Sequence, residues 1–265
     1  MTPPAPAASL SAPVLTGKVA FVPGGSGVLG GAIARGLSRA GAEVVVGGTD
    51  EAKLRSLCTS LRESGQRAEA VAFDARQVKD IARAVDAVCD YFGRCDILLN
   101  CVGVHREQGL LDATEESYDS VIELNLKAAM FLAQAVARRQ VQQGQGGKHV
   151  HLLSVRAKLA LRGKGYSAYT ASKGGLAMLV KQHAVELAPH GINVNGVAPT
   201  FVNSEMASHM LKNPELKAQI AQRIPLGRIA EAADVVGPSL FFCGPASDFV
   251  TGQILYVDGG LTACQ

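Results

Sequence analysis

Short runs of β-branched and other apolar residues alternate with longer segments in which apolar positions recur about every 3.6 residues. The strand-like runs are residues 19–22, 44–46, 70–73, 97–99, 150–153, 192–197 and 254–257. Because these runs are continuously apolar, both faces of their sheet are expected to be covered, as in parallel sheets with crossover helices. The pattern predicts an α/β fold: a single doubly wound, Rossmann-like domain with a seven-stranded parallel sheet and helices on both faces.

The predicted domain spans residues 17–265, since no linker or internal repeat divides that stretch. Residues 1–16 are rich in Pro and Ala and are predicted to form a flexible tail. This tail has no Lys or Arg and no long apolar segment, which argues against a signal or transit peptide.

The composition of the chain limits the kinds of molecule that it is expected to bind. The chain has 26 Lys and Arg against 23 Asp and Glu, a net charge of +3 that argues against a nucleic-acid partner. No unbroken apolar stretch reaches the roughly 18–20 residues of a membrane span, so no membrane association is expected. The six cysteines form no CxxC pair and the histidines show no metal-ligand spacing, which predicts no metal site and a cytoplasmic location.

A glycine-rich turn, PGGSGVLGG from Pro23 to Gly31, follows the first predicted strand and opens an amphipathic helix. Glycines let the backbone approach a pyrophosphate, which then faces the positive end of the helix. Such a turn alone is also compatible with an ordinary tight turn, but its place between strand and helix favours a dinucleotide site.

Candidate chemistry is concentrated in a few polar side chains. Tyr169 and Lys173 are four residues apart and share one helix face, where the ammonium is expected to lower the Tyr169 pKa and make the phenol a usable acid or base. Tyr166 lacks this pairing. Ser154, at the end of the fifth strand, is either a turn former or a hydroxyl that holds a substrate oxygen. Asn125 lies among apolar residues, which indicates either structural hydrogen bonding or a water relay.

The order and spacing of these motifs resemble the short-chain dehydrogenase/reductase family from Lys18 to about Gly260, with particular similarity to gluconate-type sugar-acid dehydrogenases and 3-oxoacyl-(acyl carrier protein) reductases. The resemblance implies an NAD(P)-dependent oxidoreductase that interconverts a secondary alcohol and a ketone by hydride transfer. It also implies a homotetramer, formed through the last strand. The implied catalytic residues are Asn125, Ser154, Tyr169 and Lys173. The implied coenzyme contacts are Gly24, Ser26, Gly27, Leu29, Gly30, Thr49, Asp74, Asn100, Gly103, Tyr169, Lys173, Pro199, Thr200 and Val202.

The chain also departs from the family pattern. Pro23 replaces the usual Thr of the glycine-rich turn, and Val28 replaces its middle Gly. Cys101 and Val102 stand where the family has Asn and Ala, which weakens the support expected from that motif. The interval from Ser154 to Tyr169 is longer than usual and predicts an enlarged loop over the substrate site.

The end of the second strand bears on the choice of coenzyme. The position expected to carry an NAD-selective acid is Gly48, and the position of the usual NADP-selective Arg is Thr49. The lack of a carboxylate at Gly48 favours NADP over NAD, with Asp50 as the counterargument.

The substrate is a small alcohol or ketone whose class stays open at this point. The loop after Ser154 carries Arg156, Lys158, Arg162 and Lys164 and no acid, so it is either a solvated basic loop or an attractor of an anionic substrate. His105 and Arg106 are expected across the same mouth. Residues 201–224, with Met206, Met210 and Leu211, are predicted to form a substrate lid.

Similarity of the GVLG turn and of residues 234–238 to gluconate-type relatives favours a sugar acid or polyol. A 3-oxoacyl thioester is the alternative, followed by a lipophilic alcohol or steroid. Two alternatives belong to other functional classes: a coenzyme-binding regulatory protein without turnover, and a methyltransferase on the same architecture. A methyltransferase leaves the Tyr169 and Lys173 pair unexplained.

Overall fold

The sheet has seven parallel strands, as the apolar runs predict. In the computed structural model, which describes residues 14–204 and 212–264, the strands are β1 Val19–Pro23, β2 Glu43–Gly48, β3 Ala68–Ala72, β4 Ile97–Asn100, β5 Gly147–Leu152, β6 Ile192–Pro199 and β7 Ile254–Val257. Their order across the sheet is β3-β2-β1-β4-β5-β6-β7. Successive strands are added in one direction from β1 to β3 and in the opposite direction from β4 to β7, which makes the carboxyl ends of β1 and β4 the topological switch point where a ligand is expected. The predicted doubly wound fold is confirmed.

Helices cover both faces of this sheet. They are α1 Val28–Arg39, α2 Glu51–Glu63, α3 Val78–Phe92, α4 Glu115–Ile122, α5 Ala128–Gln143, α6 Ser167–Leu187, α7 Pro214–Gln222 and α8 Ala232–Cys243. Alternate β1 residues point to opposite faces. Ala20 and Val22 pack in one apolar cluster with α1, α2 and α8, whereas Val19 and Phe21 pack in another with α3 and α5. Burial on both faces explains why the strands are continuously apolar.

Two strands begin at least two residues earlier than the apolar runs indicate. β3 starts at Ala68 and β5 at Gly147, so that Lys148 and His149 belong to the sheet. His149 is fully buried despite its polarity, because Gln140 on α5 lies 3.0 Å from its Nε2. The apolar pattern of the sequence does not show such a buried hydrogen-bonded pair.

The packed part of the chain begins before Gly17. Leu15, which the sequence prediction placed in the tail, is buried in the cluster around α1. Its backbone N–H donates to the Ala40 carbonyl at 2.8 Å. The boundary between tail and domain is therefore corrected to a point N-terminal of Leu15.

A long helical run joins α4 to α5 through a π-helical turn, Glu123–Lys127. The run from Glu115 to Gln143 has the length and apolar composition of a membrane span. Its side chains Leu132 and Val136 are nevertheless fully buried in the protein core against β1 and α3. This packing accounts for the apolar residues on the side of the run that faces the core.

Candidate active site

A cleft of about 490 Å³ lies at the switch point, beyond the carboxyl ends of the strands. The turn between β1 and α1 forms one wall, and the residues after β4, β5 and β6 form the others. Gly24 and Gly30 bring this turn close to its neighbours. A Cβ on Gly24 would lie 2.7 Å from the Cys101 carbonyl carbon, and one on Gly30 would lie 2.2 Å from the Gly24 oxygen. Both positions therefore exclude any larger residue.

This cleft suits a dinucleotide. Helix α1 begins after Gly27 with no side-chain cap and no acid in its first turn, so its amide groups and positive end remain available to an anion. Across the cleft, the Thr200 hydroxyl is buried without a hydrogen-bond partner among the described residues. The uncapped helix start suits a phosphate group, and the unsatisfied hydroxyl suits the amide group of a nicotinamide.

Tyr169, Ser154 and Lys173 meet at the inner end of the cleft. The Tyr169 hydroxyl and Ser154 are hydrogen-bonded. Lys173 lies one helical turn beyond Tyr169, with its Nζ 5.8 Å from the ring centroid. The ammonium donates a 2.8 Å hydrogen bond to the Leu152 carbonyl at the end of β5. The helix α6 and the strand β5 thus hold the three side chains together.

The pKa of Tyr169 differs from the expectation. Burial raises the pKa of Tyr169, while the hydrogen bond with Ser154 and the charge of Arg156 lower it. Lys173, expected to supply the lowering, is turned to the Leu152 carbonyl instead. Burial also lowers the pKa of Lys173 to about 8. The prediction that Lys173 lowers the phenol pKa is therefore wrong for this geometry.

Asn125 lies behind the cleft, in the π-helical turn. Its Oδ1 accepts from the Val104 N–H at 2.7 Å, and its Nδ2 donates to the Val104 carbonyl and to Ser172 Oγ, both at 3.0 Å. A π turn re-aims a side chain within a helix and is frequent at functional sites. Here it points Asn125 between the loop after β4 and helix α6, where it is fully buried.

Asn100, the last residue of β4, also supports the site. Its Oδ1 accepts from the Val102 N–H at 3.0 Å, and its Nδ2 lies 3.3 Å from His151 Nδ1 on β5. These contacts fix the loop that carries Gly103, whose added Cβ would lie 3.6 Å from Lys173 Nζ. Asn100 itself is not among the residues that line the cleft, so the structure shows it supporting the loop, and its contact with the coenzyme stays a prediction.

The outer end of the cleft lies beside β2 and β3. Gly48, Thr49 and Asp74 line it, whereas the Asp50 carboxylate accepts from the Lys53 N–H at 3.0 Å and caps α2. Asp74 is paired with Arg76 at 2.7 Å, and this hydrogen bond lowers the pKa of the carboxyl. Asp50 therefore has a structural role as the N-cap of α2.

The comparisons with known proteins agree with this geometry. The family model described as enoyl-(acyl carrier protein) reductase matches residues 26–262. Gluconate 5-dehydrogenase from Gluconobacter oxydans (strain 621H) is 35% identical, covering 94% of this chain and 96% of the relative. The 2-dehydro-3-deoxy-D-gluconate 5-dehydrogenase of Escherichia coli (strain K12) is 35% identical, covering 96% of this chain and 99% of the relative.

A solved structure extends the likeness to the fold. It is a gluconate 5-dehydrogenase from Burkholderia cenocepacia J2315 in complex with NADP and tartrate, with a TM-score of 0.91 and 32% identity over 96% of this chain and 98% of that one. The chain is a short-chain dehydrogenase/reductase. Membership makes it an NAD(P)-dependent oxidoreductase that interconverts a secondary alcohol and a ketone.

The structure brings most of the predicted site residues of this short-chain dehydrogenase/reductase into one cleft. Ser154 and all predicted coenzyme contacts except Asn100 line it. These lining residues are Gly24, Ser26, Gly27, Leu29, Gly30, Thr49, Asp74, Gly103, Tyr169, Lys173, Pro199, Thr200 and Val202. Asn125, like Asn100, acts on the cleft from behind through the hydrogen bonds given above.

Two residues in the cleft were missed or misplaced by sequence reasoning. Tyr166 is buried beside the cleft, and the His105 ring lies edge-on between Tyr166 and Tyr169, with ring centroids 4.2 and 4.9 Å away. The reasoning excluded Tyr166 because no cation follows it at helical spacing. Arg156, treated as part of a basic loop, is in fact buried and lines the cleft. The only available signal was its position two residues after Ser154.

The structure describes part of the predicted substrate lid, residues 201–204 and 212–224. Phe201, Val202 and Ser204 line the cleft, and α7 follows. Ile220, Ile224 and Ile229 form a small apolar cluster against Phe201. Met206, Met210 and Leu211 lie outside the described residues.

Proposed function

We propose that this short-chain dehydrogenase/reductase interconverts a secondary hydroxyl and a ketone of a sugar acid, with Asn125, Ser154, Tyr169 and Lys173 as the working residues. The observation that carries the proposal is the hydrogen-bonded pair of Ser154 and Tyr169, next to Lys173, at the switch-point end of a dinucleotide-shaped cleft. A bound nicotinamide coenzyme would supply or accept the hydride.

The proton chemistry is assigned to this chain's own side chains. Tyr169 exchanges a proton with the substrate oxygen, and Ser154 holds that oxygen by a hydrogen bond. Lys173, anchored by the Leu152 carbonyl, supplies positive charge and contacts the nicotinamide ribose. Asn125 keeps the loop after β4 at a fixed distance from α6 and anchors a water that leads protons to solvent.

The proposed coenzyme contacts follow the cleft. Gly24, Ser26, Gly27, Leu29 and Gly30 cradle the pyrophosphate at the start of α1. Asp74 holds the adenine, and the residues after β6 face the nicotinamide; these are Pro199, Thr200 and Val202. Gly103 allows the close approach of the ribose.

NADP is proposed as the preferred coenzyme. Gly48 and Thr49 line the cleft where a selective acid would repel a 2′-phosphate, and neither carries charge. The NADP in the Burkholderia gluconate 5-dehydrogenase complex supports the same choice.

The sugar-acid class is supported by the names of the relatives. They act on gluconate and 2-dehydro-3-deoxygluconate, and the Burkholderia enzyme holds tartrate, a hydroxy acid. The chain carries a cationic residue, Arg156, in the same cleft as Tyr169, which suits a carboxylate.

A homotetramer in the cytoplasm is proposed as the working form. Exposed apolar side chains on the helices, among them Met178 and Val185 on α6, and Leu255 on the edge strand β7 offer surfaces for contact between copies. Light scattering coupled to size-exclusion chromatography tests this state, and a monomer at micromolar concentration contradicts it.

A substrate panel tests the proposed function. Purified protein is assayed with NADP(H) and NAD(H) against sugar acids and their keto forms, 3-oxoacyl thioesters and hydroxysteroids. Highest kcat/KM on a sugar acid supports the proposal. Highest kcat/KM on a thioester or steroid rejects the substrate class, and coenzyme binding without turnover on the whole panel rejects the function.

A further inference from the structure

The four basic residues between Ser154 and Tyr169 have different surroundings. Lys164 pairs with Glu107 at 2.9 Å, and Lys158 lies over the Tyr256 ring at 5.6 Å from its centroid. Arg162 is exposed. Arg156 alone among the four is buried, with 5% of its surface exposed, and lines the cleft.

Among the described residues, the side-chain hydrogen bonds of Arg156 come from one nitrogen, Nη1. Its Nη1 donates to the carbonyls of Leu159 and Ala160 at 3.2 and 2.7 Å, and its backbone N–H donates to Ser154 Oγ at 3.2 Å. A guanidinium has five N–H donors, and within residues 14–204 and 212–264 these bonds leave Nε and Nη2 without a hydrogen-bond partner. No carboxylate within residues 14–204 and 212–264 forms an ion pair with Arg156. Carbonyl oxygens orient a guanidinium without neutralising its charge.

The groups that act electrostatically on Arg156 are two tyrosines and one further cation. Burial lowers its pKa, Tyr166 and Tyr169 raise it, and the charge of Arg223 just after α7 lowers it. Arginine nevertheless stays protonated in proteins, so the charge persists in the cleft. Glu107, the acid across the mouth, is already paired with Lys164. A buried charge without an ionic partner is costly, and a bound anion offsets that cost.

We propose that Arg156 is a specificity-determining residue that binds the carboxylate of the substrate through Nε and Nη2. This inference rests on the proposed function and assigns it a substrate class: hydroxy and keto acids with a free carboxylate, in preference to uncharged polyols. Arg156 and Ser154 belong to one rigid segment, because the 3₁₀ turn Val155–Ala157 follows directly on Ser154. That segment therefore holds the carboxylate and the reacting oxygen at a fixed separation. Planar guanidinium donors match the two carboxylate oxygens, which a lysine cannot reproduce.

The test compares gluconate with sorbitol, its uncharged counterpart, in wild type, Arg156→Gln, Arg156→Lys and Arg162→Gln. Arg156→Gln is expected to lower the gluconate-to-sorbitol ratio of kcat/KM by about 10- to 100-fold, mainly through KM for gluconate. Arg156→Lys keeps the charge and is expected to lose less, about 5- to 10-fold. The matched control Arg162→Gln, from the exposed part of the same loop, should leave the ratio within about twofold.

Binding gives a second readout that does not depend on turnover. Calorimetric titration of gluconate into protein loaded with NADPH, which cannot accept a hydride from it, should show weaker binding to Arg156→Gln by the same factor, with melting temperatures reporting whether the variant is folded. Equal gluconate binding by wild type and folded Arg156→Gln overturns the inference, as does an equal loss in Arg162→Gln. If Arg156→Gln does not fold, the decision falls to Arg156→Lys, and an unchanged ratio in that variant overturns the inference.

Acetoacetyl-coenzyme A carries phosphate groups but no free carboxylate, so it tests whether Arg156 binds a carboxylate or a phosphate. A selective loss on this thioester, with gluconate unaffected, would assign Arg156 to phosphate recognition and overturn the proposal. The proposed function fails separately, through absence of turnover on every substrate of the panel. Turnover with an unmoved gluconate-to-sorbitol ratio rejects only the role of Arg156.

Discussion

Asn125 donates a 3.0 Å hydrogen bond to Ser172, which joins the π-helical turn to the helix that carries Tyr169 and Lys173. Ser172 passes the connection on, since its hydroxyl donates to the Tyr169 carbonyl at 2.7 Å. The other bonds of Asn125 hold Val104 in the loop after β4. Two walls of the cleft thus depend on one buried amide.

Asn125→Ala is expected to lower the free energy of unfolding by about 2–4 kcal/mol, because it leaves buried partners at Val104 and Ser172 unsatisfied. Ser172→Ala, the matched control, removes the link to Asn125 and the bond to the Tyr169 carbonyl but keeps both bonds to Val104, and should cost about 1 kcal/mol. Urea unfolding monitored by circular dichroism measures both. Equal losses in the two variants would contradict the assignment of Asn125 as the central connector.

Coenzyme preference should respond to Thr49. Thr49→Arg places a guanidinium beside the expected 2′-phosphate and should raise the NADP-to-NAD ratio of kcat/KM by about tenfold. Thr49→Asp should lower that ratio by a similar factor. Side-by-side steady-state assays decide, with Thr49→Ser as control. A wild type that prefers NAD, or a ratio that does not respond to either charge, contradicts the proposed preference.

Stability should fall in acid because histidines on β5 are buried as neutral rings. Burial lowers the pKa of His151 from 6.5 to about 3 and lowers that of His149 in the same direction. Below pH 6.5 the unfolded chain binds protons that the folded chain does not, so stability decreases as the pH falls from 6.5 towards 3. His151 contributes about 1.4 kcal/mol per pH unit over that range, and His149 acts in the same direction.

Unfolding free energies between pH 7 and 5 test this linkage. His151→Gln should reduce the pH dependence by about one proton, whereas His190→Gln, at an exposed position, should leave it unchanged. A pH dependence that is the same in His151→Gln as in wild type would show that His151 is not a source of the acid sensitivity.

The sequence predicted the structure best where the burial of a sheet face or the repeat of a helix determines which residues are apolar. Continuous apolar runs predicted the seven strands because both faces of the sheet are buried, and the spacing of Tyr169 and Lys173 predicted their shared helix face. Strand ends at Lys148 and His149 were missed, because their burial depends on partners such as Gln140.

Features set by tertiary contacts were not predictable from local spacing. The π turn around Asn125 spans only five residues, which is too short for its shift of the apolar period to be recognised in the sequence. The burial of Arg156 depends on the path of the enlarged loop, which the Gln108 N–H fixes by donating to the Gly165 carbonyl at 2.9 Å. The same loop brings Tyr166 beside His105. The pKa of Tyr169 likewise depends on where the Lys173 ammonium turns.

The central claim is that the Tyr169 hydroxyl transfers the substrate proton. The most direct measurement is single-turnover and steady-state kinetics of Tyr169→Phe, together with the NADP dissociation constant from coenzyme fluorescence. The account predicts that kcat falls by at least about 1,000-fold, because the general acid and base is lost, while the dissociation constant stays within about threefold of wild type. Turnover by Tyr169→Phe within about tenfold of wild type would contradict it.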